Sequence, residues 1–233
     1  MQRRAARAAA RYAYVGSAIN FIANQQPGLI PILDRDAGFW NTVLGAMQTA
    51  SIVGLGRIYD SRRDVLSAQR LIDHVITYRG IFSRAALAAR KSLEYAATAF
   101  EPRETDLLPL RDLLVERTAL YETTVGPIRH KVFAHAGNIT SAEMFELFQN
   151  VPRTDYEKLS TFPLDLHDTL FQLYYNGERT VGRLIESDLA TLVANPPGDR
   201  EITTGPRYAV KETVQFLEHL AGVPIPQTSA GSN

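Results

Sequence analysis

Four cationic or titratable side chains fall within seven residues of this 233-residue chain: Arg129, His130, Lys131 and His135. They sit in the segment Gly126-Pro127-Ile128-Arg129-His130-Lys131-Val132-Phe133-Ala134-His135, where no acid neutralises them. Glu122 and Glu143 are the nearest carboxylates along the chain. Arg129 and Lys131 carry fixed positive charge, and His135 can donate or accept a proton near neutral pH. A guanidinium and an imidazole beside a helix start suit a phosphodiester. Pro127 fits a first helical position, and Val132, Phe133 and Ala134 offer an apolar anchor to a core.

Other chemistries find no support. The chain has no cysteine, which excludes disulfides, iron–sulfur clusters and thiolate zinc sites and makes the cytosol the default compartment. On an α-helix His130 and His135 diverge by about 140°, so they do not form a one-face metal pair. His74 and His219 sit in amphipathic stretches and read as surface or boundary histidines. A calcium loop starting at Asp34 would need Gly and Glu where Phe39 and Gly45 stand. Gly54-Leu55-Gly56 lacks the third glycine of a dinucleotide fingerprint, Tyr59 standing there. No metal and no cofactor is expected.

The elements that must position the basic segment are helices. Apolar residues recur at helical spacing, and sustained strand alternation is absent. Helices are expected over about Gln2–Asn24, Gly38–Tyr59, Leu66–Arg79, Ser83–Phe100, Asp106–Thr124 and Ala142–Asn150, then from Pro163 to about Val193, then from Pro206 to a stop at Gly222. A short one restarts at Pro127. Thr140 or Ser141 can cap the helix that follows. Ala46, Ala50 and Gly54 recur every four residues, a spacing that lets another helix approach closely, within the bundle or across a dimer seam. One all-α domain is expected over residues 1–222, followed by a disordered tail at 223–233.

The formal net charge is zero, but its halves differ. Residues 1–92 carry twelve Arg and one Lys against five Asp, a net +8, and residues 93–233 carry −8. Such asymmetry fits an RNA or membrane partner for the basic part, or a fold that interleaves the two parts. No uninterrupted apolar stretch is long enough to span a membrane. Arg3, Arg4, Arg7 and Arg11 lie among alanines with no acid before Asp34. They read as part of the first helix of the fold.

Arg129 and His135, with a polar residue after the Arg, resemble the Arg-x₄₋₆-His motif of HEPN domains, which are all-α bundles. The string Ile128 to His135 is most similar to the abortive-infection U-type (AbiU-like) HEPN proteins of bacteria. Upstream, Leu55-Gly56-Arg57-Ile58-Tyr59-Asp60 resembles that family's pattern at the end of a long helix. The resemblance implies a HEPN-type bundle over about 36–193 with additional peripheral helices. It also implies metal-independent RNA cleavage from a site shared by two protomers, in a toxin or anti-phage effector. On that reading Arg129, His130 and His135 are catalytic, and Lys131, Arg3, Arg7 and Arg11 bind RNA. The expected partners are RNA, a second copy of the chain in a homodimer or higher oligomer, and an antitoxin or other defence protein, with no membrane. Some HEPN toxins carry a modifiable Tyr two residues after the His; Gly137 stands there, so that regulation does not carry over. A non-catalytic helical binding or dimerisation module is the alternative. Arg129 and His135 are about 120° apart around an ideal α-helix and ~9 Å along it. Two such helices paired by a two-fold would bring them to one phosphate.

Overall fold

The computed structural model describes residues 2–62, 65, 67–134, 139–180 and 206–222. Among these residues the regular elements are helical and none is a strand. In chain order they are α1 (Gln2–Gln25), a 3₁₀ turn (Pro27–Leu29), α2 (Ile30–Arg35), α3 (Ala37–Ile58) and α4 (Ala68–Thr77). A second 3₁₀ turn (Arg79–Phe82) leads to α5 (Arg84–Arg90), α6 (Leu93–Ala96), α7 (Glu104–Thr123) and α8 (Val125–Ile128). A π-helical turn (Arg129–Ala134) follows, then α9 (Ser141–Gln149), α10 (Arg153–Asn176) and α11 (Pro206–Ala221).

Side-chain caps set several of these starts. The hydroxyls of Ser67, Ser83 and Ser92 accept the N–H groups of Arg70, Ala86 and Tyr95, each satisfying an orphan donor of a first turn. The Ser92 cap is why the helix expected over Ser83–Phe100 is two helices, broken at Lys91. Of the two candidate caps before α9, Thr140 serves, paired with Glu143 in a capping box. Gly222 has φ +65° and closes α11 as expected.

The expectation that Pro163 starts a helix is corrected. α10 begins ten residues earlier at Arg153 and runs through Pro163 to Asn176. Proline has no N–H, so the carbonyl of Leu159 loses its intrahelical donor. The buried Tyr59 hydroxyl donates to that carbonyl at 2.9 Å and stands in for the lost bond. The helix then stops short of Val193, at Gly177 with φ 62°. A Cβ there would press on Ala99 and Leu87 as well as straining the backbone.

Contacts divide the chain into two compact units. The first holds Met1–Ala6 and Ile52–Glu186. Its core includes Leu55, Ile72, Leu107, Leu114, Ile128 and Leu159, all buried, and α4 and α10 both pack on α7. The second holds Arg7–Ser51 and Ser187–Asn233. There Ile22, Leu29 and Leu217 form a buried cluster edged by Trp40 and Val214, and the buried Ser51 hydroxyl donates to the carbonyl of Ala9. α3 contributes its first part to the second unit and Ile52–Ile58 to the first. Gly54 of the small-residue stripe is buried, and Ala46 and Ala50 are exposed. The expected tail, 223–233, lies outside the described residues, as does His135.

Candidate active site

The basic segment is carried on the continuation of α7. Pro127 removes a hydrogen bond and crowds the preceding turn, and the hydroxyls of Thr123 and Thr124 bond back to carbonyls one turn earlier. These features interrupt α7 and restart it as α8. From Arg129 to Ala134 the chain then winds as a π-helix, with bonds closing at i+5 rather than i+4. Angles taken from an ideal α-helix therefore do not hold across Arg129–Ala134, because fewer degrees separate successive side chains.

Arg129 is half-buried in the first unit. Its stem lies directly on Gly56: a Cβ built there would overlap Cδ and Nε of Arg129 and stand 3.0 Å from Cζ. The guanidinium is within hydrogen-bonding reach of the Tyr121 hydroxyl and attracts the Asp60 carboxylate. Tyr121 is itself fixed by stacking on Tyr59, with ring centroids 5.3 Å apart and planes at 20°. Burial raises the Tyr121 hydroxyl above the ordinary tyrosine range, and Arg129 opposes that shift. Tyr121 is therefore a neutral hydrogen-bonding partner at physiological pH. Hydrogen bonds from Arg62 hold the Asp60 carboxyl below the usual range, with the charge of Arg129 adding to the effect.

Two patches about seventy residues apart thus meet. Gly56, near the end of α3, receives the Arg129 stem, and the Asp60 carboxylate just past that end attracts its charge. The roles of Gly56 and Tyr121 are not read from the sequence. A glycine one turn before an acid at the end of an apolar helix is the only sequence signal for the first. Nothing in the sequence marks Tyr121.

The other predicted residues are placed as follows. His130 and Lys131 are exposed and line a cleft of about 540 Å³ with residues of α9. Lys131 also attracts Glu143, whose carboxyl is lowered chiefly by its bonds to Thr140. Arg7 is half-buried and Arg11 exposed on α1, both in the second unit; Arg3 lies at the start of the same helix. His74 and His219 are exposed, in keeping with the surface reading.

The all-helical fold and the Arg-x₅-His spacing agree with the HEPN resemblance. The sequence model of the AbiU2 family of HEPN proteins matches residues 30–192, and the chain belongs to that family. No curated protein and no solved structure matches it. Among the described residues no helix is long and apolar enough to cross a membrane.

Proposed function

We propose that this HEPN protein is a metal-independent endoribonuclease, acting in the cytoplasm as a toxin or abortive-infection effector against phage. The observation that carries the reading is the seat of Arg129. A half-buried guanidinium whose stem lies on Gly56, within hydrogen-bonding reach of Tyr121 and attracted by Asp60, is preorganised to meet negative charge that develops on a phosphate. His135 moves a proton for the ribose 2′-hydroxyl as it attacks phosphorus, or for the departing 5′-oxygen. His130 orients the phosphate, and Lys131 contributes charge beside it. The products of such a displacement are a 2′,3′-cyclic phosphate and a 5′-hydroxyl. Arg3, Arg7 and Arg11 draw RNA electrostatically. The site is shared across a homodimer or higher oligomer, and an antitoxin or another defence protein restrains it.

Digestion of RNA by the purified full chain, with a chelator present, tests the proposal. Cleavage by the wild type that is lost in Arg129→Ala and in His135→Ala is the expected result. Absence of wild-type cleavage, or equal cleavage by both variants, overturns it and leaves the non-catalytic helical module. Toxicity on expression, relieved by His135→Ala, reads the same point in cells.

A further inference from the structure

His130, the residue after Arg129, begins a cleft with a built-in polarity. One wall is the π-turn, with His130 and Lys131. The other is α9 and its end, with Glu143, Glu146, Leu147 and Asn150. Those four positions are related as i, i+3, i+4 and i+7, so they share one helix face. The volume of about 540 Å³ falls in the range of small-ligand sites. The wall that continues from Arg129 along the chain carries Lys131 and His130, and carboxylate and amide groups stand opposite.

The two carboxylates are not equivalent. Oε2 of Glu143 accepts from the backbone N–H of Thr140 at 2.8 Å and from its hydroxyl at 2.7 Å, so it is committed to capping α9. The Glu146 side chain makes no hydrogen bond or ion pair among the described residues. An ionised carboxylate offers two acceptor oxygens and no donor. Guanine is the RNA base whose Watson–Crick edge presents two adjacent N–H donors, N1–H and the N2 amino group. Adenine and cytosine present one amino group beside an acceptor nitrogen. Uracil presents a single N–H between two carbonyls, which a carboxylate repels. Unstacked bases of single-stranded RNA are read at this edge. Leu147 supplies apolar contact for the ring.

We propose that this cleft takes a guanine base of the RNA, with Glu146 accepting from N1–H and N2–H and Lys131 meeting a flanking phosphate. The proposal rests on the reading of Arg129 as the phosphate-binding group, since the cleft begins at the next residue along the chain. It makes the protein guanine-selective at one position next to the bond it cuts.

The test is equilibrium binding at low salt of labelled 2′-O-methyl pentamers AAGAA and AAUAA, which lack the attacking hydroxyl and stay intact. The wild type is expected to bind the guanine pentamer about tenfold more tightly, as one bidentate base contact provides. Glu146→Gln should bring the ratio to within about twofold of unity, by weakening AAGAA relative to AAUAA. Lys131→Ala should weaken both pentamers alike and keep the ratio. A wild-type ratio near one, a ratio unmoved by Glu146→Gln, or binding of neither pentamer overturns the proposal. Cleavage of the unmodified pentamers separates it from the nuclease reading. Guanine preference without cleavage sinks only the nuclease, and cleavage without preference sinks only the guanine site.

Discussion

Gly56 is the residue on which the placement of Arg129 turns. Its lack of a side chain leaves the space that the Arg129 stem fills. Gly56→Ala should displace the arginine rather than unfold the protein, because the atoms it meets belong to a flexible side chain. We expect a stability loss of about 1–3 kcal/mol, of the size seen for overpacking. RNA cleavage should fall about 10²–10³-fold, approaching Arg129→Ala, as for loss of a preorganised transition-state donor. Normal helicity by circular dichroism with wild-type cleavage would contradict the seat. Asp60 offers a second test, through pH. Its folded-state pKa is lowered, first by the hydrogen bonds from Arg62. A lowered carboxyl stabilises the fold above its unfolded value, near 3.9, and loses that contribution as pH falls through the folded value. The stability gap between wild type and Asp60→Asn should therefore be present at neutral pH and close below about pH 3.9. Urea midpoints measured across that range check it; a gap that widens in acid would refute the assignment.

At the scale of the element, α10 and the π-turn depart furthest from their sequence patterns. Proline inside a helix ordinarily marks a boundary or a kink, because it removes a donor and its ring meets the carbonyl four residues back. α10 passes through Pro163 because the Tyr59 hydroxyl reaches Leu159 from α3's end, 100 residues away in sequence. Tyr59→Phe should destabilise the protein by about 1–3 kcal/mol, the effect of leaving a buried acceptor unsatisfied. In a Pro163→Ala background the backbone N–H of residue 163 is restored, and the effect should shrink. A double-mutant cycle in denaturant reads the coupling directly. Equal losses in both backgrounds would show that the hydroxyl is not replacing the missing bond. The π-turn has a different origin. It follows a helix already interrupted at Thr124 and Pro127, and hydrophobic spacing over six residues does not distinguish i+4 from i+5 winding.

At the scale of the whole molecule, charge and unit boundaries do not coincide. The +8 stretch of residues 1–92 supplies both units, since Arg7–Ser51 belongs to the second and Ile52 onward to the first. The family match over residues 30–192 covers most of the first unit, and α1 and α11 fall outside it. If Arg7 and Arg11 contact RNA phosphates, replacing both with Ala should reduce the steepness of log affinity against log salt by about 1.4, the value for two contacts on a single strand. Fluorescence anisotropy at several salt concentrations measures that slope. An unchanged slope would remove the second unit's arginines from the RNA-binding surface.

The sequence alone determined the helical class and most helix positions, because apolar spacing and capping residues act locally; Thr140 before α9 and Gly222 after α11 are examples. It also singled out the basic segment and the end of α3 as separate patches carrying the HEPN resemblance. Only the tertiary structure decided that these patches touch, that Gly56 and Tyr121 hold Arg129, and that a cleft opens between the π-turn and α9. Contacts of that kind are set by packing between residues far apart in the chain. Local propensity carries no record of which glycine leaves room for which arginine, or which hydroxyl replaces a bond that proline removed.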